Sequence, residues 1–154
     1  MSGWASVDKR PWLYGDRATA INRSYLQLRQ KLMPYIYSLA RHAHETGTPV
    51  MRSLALEYPD DLGSYSVEAN NEFLLGSDYL VAPVFTASTT RSGIYLPAGD
   101  NWVDIWTGRV YKGGQVLNGH PAPLDKLPIF VRAGRSCRRG SSRATPASCP
   151  RTPS

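Results

Sequence analysis

Asp60 and Asp61 are adjacent carboxylates, a pairing that can divide acid and base work when the surroundings separate the two pKa values. They follow Pro59, however, and acids after a proline more often form a turn and cap a helix. Arg52 stands inside the apolar run "PVMRSLALEY", where an unpaired guanidinium would cost several kcal/mol. A carboxylate from a neighbouring strand is therefore expected beside it, with substrate contact as the other reading. Glu57 closes the same run and is a candidate pocket residue by position. His42 and His44 lie two apart on a helical pattern, so they point to different faces and do not form a metal pair; they read as solvated. His120 sits in the turn-forming stretch "NGHPAP", where a surface place is as good a reading as a functional one.

No phosphate-cradling glycine loop, HExxH helix or GxSxG elbow occurs. Cys137 and Cys149 make no metal pattern. Neither a metal nor a cofactor is expected.

The net charge of +6 would point to nucleic acid if it were spread over a fold. It is not: all 12 acids precede residue 135, and residues 135–154 hold five arginines. The body is near neutral, and nucleic-acid binding is not expected. No run approaches the roughly 20 apolar residues of a membrane span. The start, "MSGWASVDKRPWLYGDR", lacks the apolar core of a secretory signal, so a cytoplasmic location is expected.

The elements that must position these residues fall in four zones. Aromatics among turn formers up to about Asp16 read as a packed loop. From about Arg17 to Thr46, Ile21, Tyr25, Leu28, Leu32, Ile36, Leu39 and Ala43 recur at three or four and line one helical stripe. Asp16 is placed to cap it, Gly47 and Pro49 to end it, and Pro34 to kink or divide it. "PVMRSLALEY" then reads as a buried strand of an α/β unit, followed by a helical turn near residues 68–75 and a strand over residues 79–85. From Thr86 to Gly134, short β-type runs alternate with Gly, Pro and Asn turns, the texture of an antiparallel sandwich. Trp102, Ile105 and Trp106 break the alternation, which suggests a bulge. The last twenty residues contain no large apolar side chain and should be disordered.

Five blocks occur in order: "RPWLYGD", "YLQLRQKLMPYIYSLARHAHETGTPVMRSLALEYPDD", "NEFLLGSDYLVAPVF", "GIYLPAGDNWVDIWTG" and "APLDKLPIFVRAG". Together they resemble the C-terminal part of the catalytic region of glycoside hydrolase family 31, the α-glucosidases and α-xylosidases, over about residues 10–134.

The resemblance implies an α/β plus β fold: the last helix–strand segment of a (β/α)8 TIM barrel, residues 1–85, then part of a proximal β-sandwich, residues 86–134, then the tail, 135–154. It makes "TPVMRSLALEY" the closing barrel strand, with Arg52 projecting into the barrel. It also implies retaining hydrolysis of terminal α-glucosidic or α-xylosidic bonds in an oligosaccharide or α-glycoside. The nucleophile, the acid/base and a pocket histidine belong upstream of the "RPW" block, so no catalytic residue is carried over and the chain alone is expected to be inactive. The tail departs from the family after "FVRAG"; its Arg, Ser, Pro and Ala-rich composition is what a shifted reading frame of a GC-rich gene would give, and a truncated, frame-shifted gene is the expectation. The alternative is a non-catalytic carbohydrate-binding or interaction module, with Trp102 and Trp106 of "NWVDIW" as stacking platforms; sandwich core is the competing reading of both.

Overall fold

The computed structural model describes residues 10–134. The tail, its two cysteines and Trp4 lie outside them. A 3-10 turn, Pro11–Tyr14, leads into one helix, α1 (Asp16–Thr46), and the aromatics Trp12 and Tyr14 face outward instead of packing as a loop. A four-residue helical turn, α2 (Leu54–Glu57), comes later. The strands, in chain order, are β1 (Met51–Arg52), β2 (Phe73–Leu75), β3 (Tyr79–Val81), β4 (Thr90–Arg91), β5 (Ile94–Leu96), β6 (Asn101–Asp104), β7 (Val110–Lys112), β8 (Gln115–Leu117), β9 (His120–Pro121) and β10 (Ile129–Arg132).

α1 runs through Pro34 as one element. Proline removes one i→i−4 bond, and the stripe of apolar contacts on either side outweighs that loss. The start differs from expectation in one detail. Gly15 is the N-cap and Asp16 lies in the first turn, where its charge favours the positive end of the helix without capping it. Gly47 ends the helix in the left-handed region, φ 76°, its N–H donating to the Ala43 carbonyl.

β1, β2, β3, β10, β6 and β7 form one six-stranded sheet in that order, every pair antiparallel. Two ribbons, β4–β9 and β5–β8, accompany it. Leu74, Leu80, Trp102 and Phe130 of the sheet, Ile94, Tyr95 and Leu96 of β5, and Leu54 of α2 share one buried cluster.

The segment expected as a closing barrel strand is therefore different. Only Met51 and Arg52 are extended, and they pair antiparallel with β2, whereas a barrel strand pairs in parallel with its neighbours. The run then turns helical at Leu54. Its apolar residues fit either element, since a short run has no period that separates the two. The expected turn near residues 68–75 shortens to a 3-10 turn, Ala69–Asn71, ahead of β2, and the strand over residues 79–85 stops at Val81.

α1 is fastened to the sheet by two tyrosines. Tyr35 donates to the Leu75 carbonyl at 3.1 Å and meets Tyr79 edge-on. Tyr25 donates to the Asp125 carbonyl at 3.1 Å and accepts from the Leu127 N–H at 2.6 Å. Gly76, in the β2–β3 turn, makes the first fastening possible. Its φ is 64°, and a Cβ there would lie 2.3 Å from the Tyr35 hydroxyl and 2.7 Å from Leu39. Gly76→Ala should cost more than the roughly 1–2 kcal/mol of the left-handed backbone alone, because the helix must also retreat. Urea unfolding monitored by circular dichroism measures this; a loss under about 1 kcal/mol would show that α1 is not held there.

Candidate functional site

Five polar groups gather where α2 meets the sheet. Arg52 is 7% exposed. Its Nε donates to the Pro49 carbonyl at 2.8 Å, and its Nη1 donates to Glu57 Oε2 at 2.6 Å. Strand geometry would put residues five apart on opposite faces, but the helical turn after Ser53 brings Glu57 back to Arg52. The partner expected from another strand thus comes from the same segment.

Arg132 of β10 enters from the other side. Its Nη2 lies 4.0 Å from Glu57 Oε1 and is hydrogen-bonded to the Tyr58 hydroxyl. Its Nε is 3.2 Å from Asp100 Oδ2, a charge contact without hydrogen-bond alignment. Its guanidinium lies over the Tyr58 ring at 5.1 Å and the Trp102 ring at 6.0 Å. Tyr58 completes the set by donating to Asp100 Oδ2 at 3.1 Å. Burial pushes the Tyr58 phenol up, and the Arg132 charge opposes it, so it remains a donor at neutral pH. Two cations and two carboxylates neutralise one another here. The cluster holds α2 to the sheet, and Arg52 and Glu57, the two pocket candidates, are committed to it.

The other candidates resolve in the same manner. Asp61 is the N-cap of a 3-10 turn, Leu62–Tyr65, accepting from the Gly63 N–H at 3.1 Å. It also takes the Tyr95 hydroxyl at 2.7 and 2.8 Å and the Ala98 N–H at 2.9 Å. Burial raises its carboxyl, but these donors outweigh that and hold it below the ordinary range. Asp60 is exposed. The pair is a turn and a cap.

His42 and His44 are exposed on α1. His120 is a correction: it is 8% exposed, in β9, against Phe130 and edge-on to Tyr111. Burial lowers its pKa and Asp104, 3.9 Å away, opposes that, so the ring is neutral at neutral pH.

Trp102 is a second correction. It is fully buried, and its indole N–H donates to the Pro97 carbonyl at 3.1 Å, so neither ring face is open for stacking. No bulge separates it from Trp106. Instead Asp104 caps a turn, accepting from the Trp106 N–H at 2.9 Å and the Thr107 hydroxyl at 2.6 Å. Trp106 therefore reaches the rim, 37% exposed. Two grooves meet at Tyr25 nearby. One, of about 830 Å3, runs between α1 and residues 84–89 and 122–127; the other, of about 370 Å3, is lined by α1, Trp106, Asp125 and Lys126.

One acid escaped the sequence reading. Glu72 is 6% exposed; its Oε1 accepts the Tyr95 N–H at 2.8 Å, and its Oε2 has no hydrogen-bond partner. Burial pushes it up to about 8, against the nearby Arg91 charge, with Glu68 adding to the rise. Nothing in the local sequence "NNEFLL" marks it, because its burial depends on β5 crossing above it. Among the described residues no group of three metal-binding side chains occurs, and no helix is long and apolar enough to cross a membrane.

Residues 47–135 match the family model of the glycosyl hydrolase family 31 C-terminal domain, and residues 2–39 match that of the family 31 TIM-barrel domain. The chain belongs to glycosyl hydrolase family 31. The TIM-barrel match stops within α1 at residue 39, and the C-terminal match begins at 47, just past the end of the helix, so the family's C-terminal domain model takes in β1 to β3 together with the later strands.

Alpha-glucosidase 2 of Bacillus thermoamyloliquefaciens is 46% identical over 132 residues, covering 86% of this chain and 16% of that protein. Alpha-xylosidase of Saccharolobus solfataricus is 35% identical over 126 residues, 82% of this chain and 17% of that protein. Among solved structures, the family 31 dextranase of Flavobacterium johnsoniae in complex with glucose gives a TM-score of 0.79 at 41% identity, covering 85% of this chain and 16% of that one. A family 31 α-xylosidase from a soil metagenome, in complex with xylose, gives 0.78 at 37%, covering 84% and 19%. The chain thus spans under a fifth of the length of the curated relatives named here.

Proposed function

We propose that this chain supplies the last barrel helix and the C-terminal β-domain, a sandwich, of a retaining α-glycosidase acting on terminal α-glucosidic or α-xylosidic bonds. It carries none of the reacting carboxylates and does not hydrolyse substrate alone. The observation that carries the reading is the outer side of α1. Leu26, Met33 and Tyr37 are 60%, 45% and 76% exposed, and Trp12, Leu13 and Tyr14 extend the same apolar character ahead of the helix. This segment matches the TIM-barrel model, and an apolar side of that size suits a helix that packs against the rest of a barrel.

The charges agree. Retaining hydrolysis needs two carboxyl groups about 5–5.5 Å apart across an open cleft, one as nucleophile and one as acid/base. Glu57, Asp61, Asp100 and Asp104 are each held by partners within the fold, and Glu72 is closed off from solvent. The carbohydrate partner is the substrate of the complete enzyme, an α-glucoside or α-xyloside.

The purified chain should release no p-nitrophenol from α-glucosides or α-xylosides; turnover by the chain itself would overturn the reading. Conversely, the 132 matched residues of Alpha-glucosidase 2 from B. thermoamyloliquefaciens, replaced by their counterparts here, should leave an active hydrolase. A folded chimera without activity would count against the proposal.

A further inference from the structure

We propose that the groove between α1 and Trp106 is a second, non-catalytic binding site for a neutral α-glucan chain. Trp106 is 37% exposed, and its ring is fixed. The indole N–H donates to the Leu127 carbonyl at 2.6 Å, and Tyr25 stands edge-on with ring centres 6.2 Å apart. Tyr25 is fixed in turn by its two bonds to residues 125 and 127. Aromatic rings locked by hydrogen bonds to backbone lose little freedom when a ligand stacks on them. The apolar C–H face of a pyranose suits such a ring.

The groove, about 370 Å3, lies within the roughly 300–1,000 Å3 of small-molecule sites. Its remaining wall is polar and long-armed. Gln27 offers both a donor and an acceptor, Lys31 and Lys126 donate, and Asp125 accepts, all on exposed positions. An aromatic floor with mixed donors and acceptors fits vicinal hydroxyls. With Asp125 between Lys31 and Lys126, the wall carries a net charge of only +1 and offers acceptors as well as donors, which a neutral polyol can use in full. The larger groove continues from the same Tyr25 and Lys126, so a chain of several sugar units has room to extend.

The choice of an α-glucan rests on family membership; the stacking site rests on the geometry alone. The test is titration calorimetry of the full chain with maltotriose and isomaltotriose. Trp106→Ala should weaken binding at least ten-fold. Asp125→Ala and Gln27→Ala should weaken it several-fold with unchanged melting, since Tyr25 uses the Asp125 backbone and not its side chain. These two variants decide the matter if Trp106→Ala unfolds. No binding by the folded wild-type chain, binding indifferent to Asp125→Ala and Gln27→Ala, or a preference for a sulfated glycan would each overturn the proposal. None of those results would alter the activity expected of the chimera, so the two readings fail separately.

Discussion

Arg132→Ala is expected to destabilise the chain by roughly 3–5 kcal/mol, the usual cost of removing one partner from a buried ion cluster. Arg132 is 8% exposed, and its guanidinium serves Asp100, Glu57 and Tyr58 at once while covering the Tyr58 and Trp102 rings. Its loss leaves Asp100 and Glu57 with less opposing charge, and it uncovers the Tyr58 and Trp102 rings. Arg132→Lys should recover less than half, since one ammonium cannot reproduce a planar fork that also stacks. Replacing the set together, Arg132→Met with Asp100→Asn, should cost less than Arg132→Ala alone, because no charge is then stranded. Equilibrium urea unfolding of the three variants reads these differences. A loss below about 1 kcal/mol for Arg132→Ala would mean that the cluster is solvated and does not hold α2 to the sheet.

Glu72 gives the second large effect, and its sign is unusual. Most buried acids in folded proteins are paired and lose stability as the pH falls. Glu72 instead has a folded-state pKa raised from an ordinary 4.5 to about 8. Between those values the folded chain keeps a proton that the unfolded chain has released. Stability from this group is therefore full below about pH 4.5, declines as the pH rises, and levels off above about 8. Glu72→Gln keeps the acceptor for the Tyr95 N–H and removes the ionisation. It should raise the thermal midpoint by several degrees at pH 8 and change it little at pH 4. Equal shifts at both pH values would show that the carboxyl is not buried in the folded chain. His120 acts in the opposite sense. Its lowered pKa makes it destabilising once the pH falls below its ordinary value of 6.5, so the Glu72 trend is cleanest from pH 6.5 upward.

The sequence by itself determined much of this protein. Spacing of three and four from Ile21 to Ala43 gave the helix its length, and Gly47 gave it an end, because both signals act within a few residues. Gly and Pro punctuation announced the later strands for the same reason. Five ordered blocks announced the family, and the compositional break at residue 135 confined the charge excess. Tertiary structure decided the rest. A strand reading of "PVMRSLALEY" separates Arg52 from Glu57, and only the turn into α2, fixed by burial of Leu54, joins them. Trp102 and Trp106 lie four residues apart in one motif, yet one is sealed in the core and the other is on a rim, because Asp104 turns the chain between them. Glu72 is buried by β5, 23 residues further on, and His120 by the Tyr111 and Phe130 rings of two other strands. Local propensity is set by neighbours along the chain. Burial, and with it pKa and access to ligand, is set by whichever distant strand arrives above, and no local pattern records that arrival.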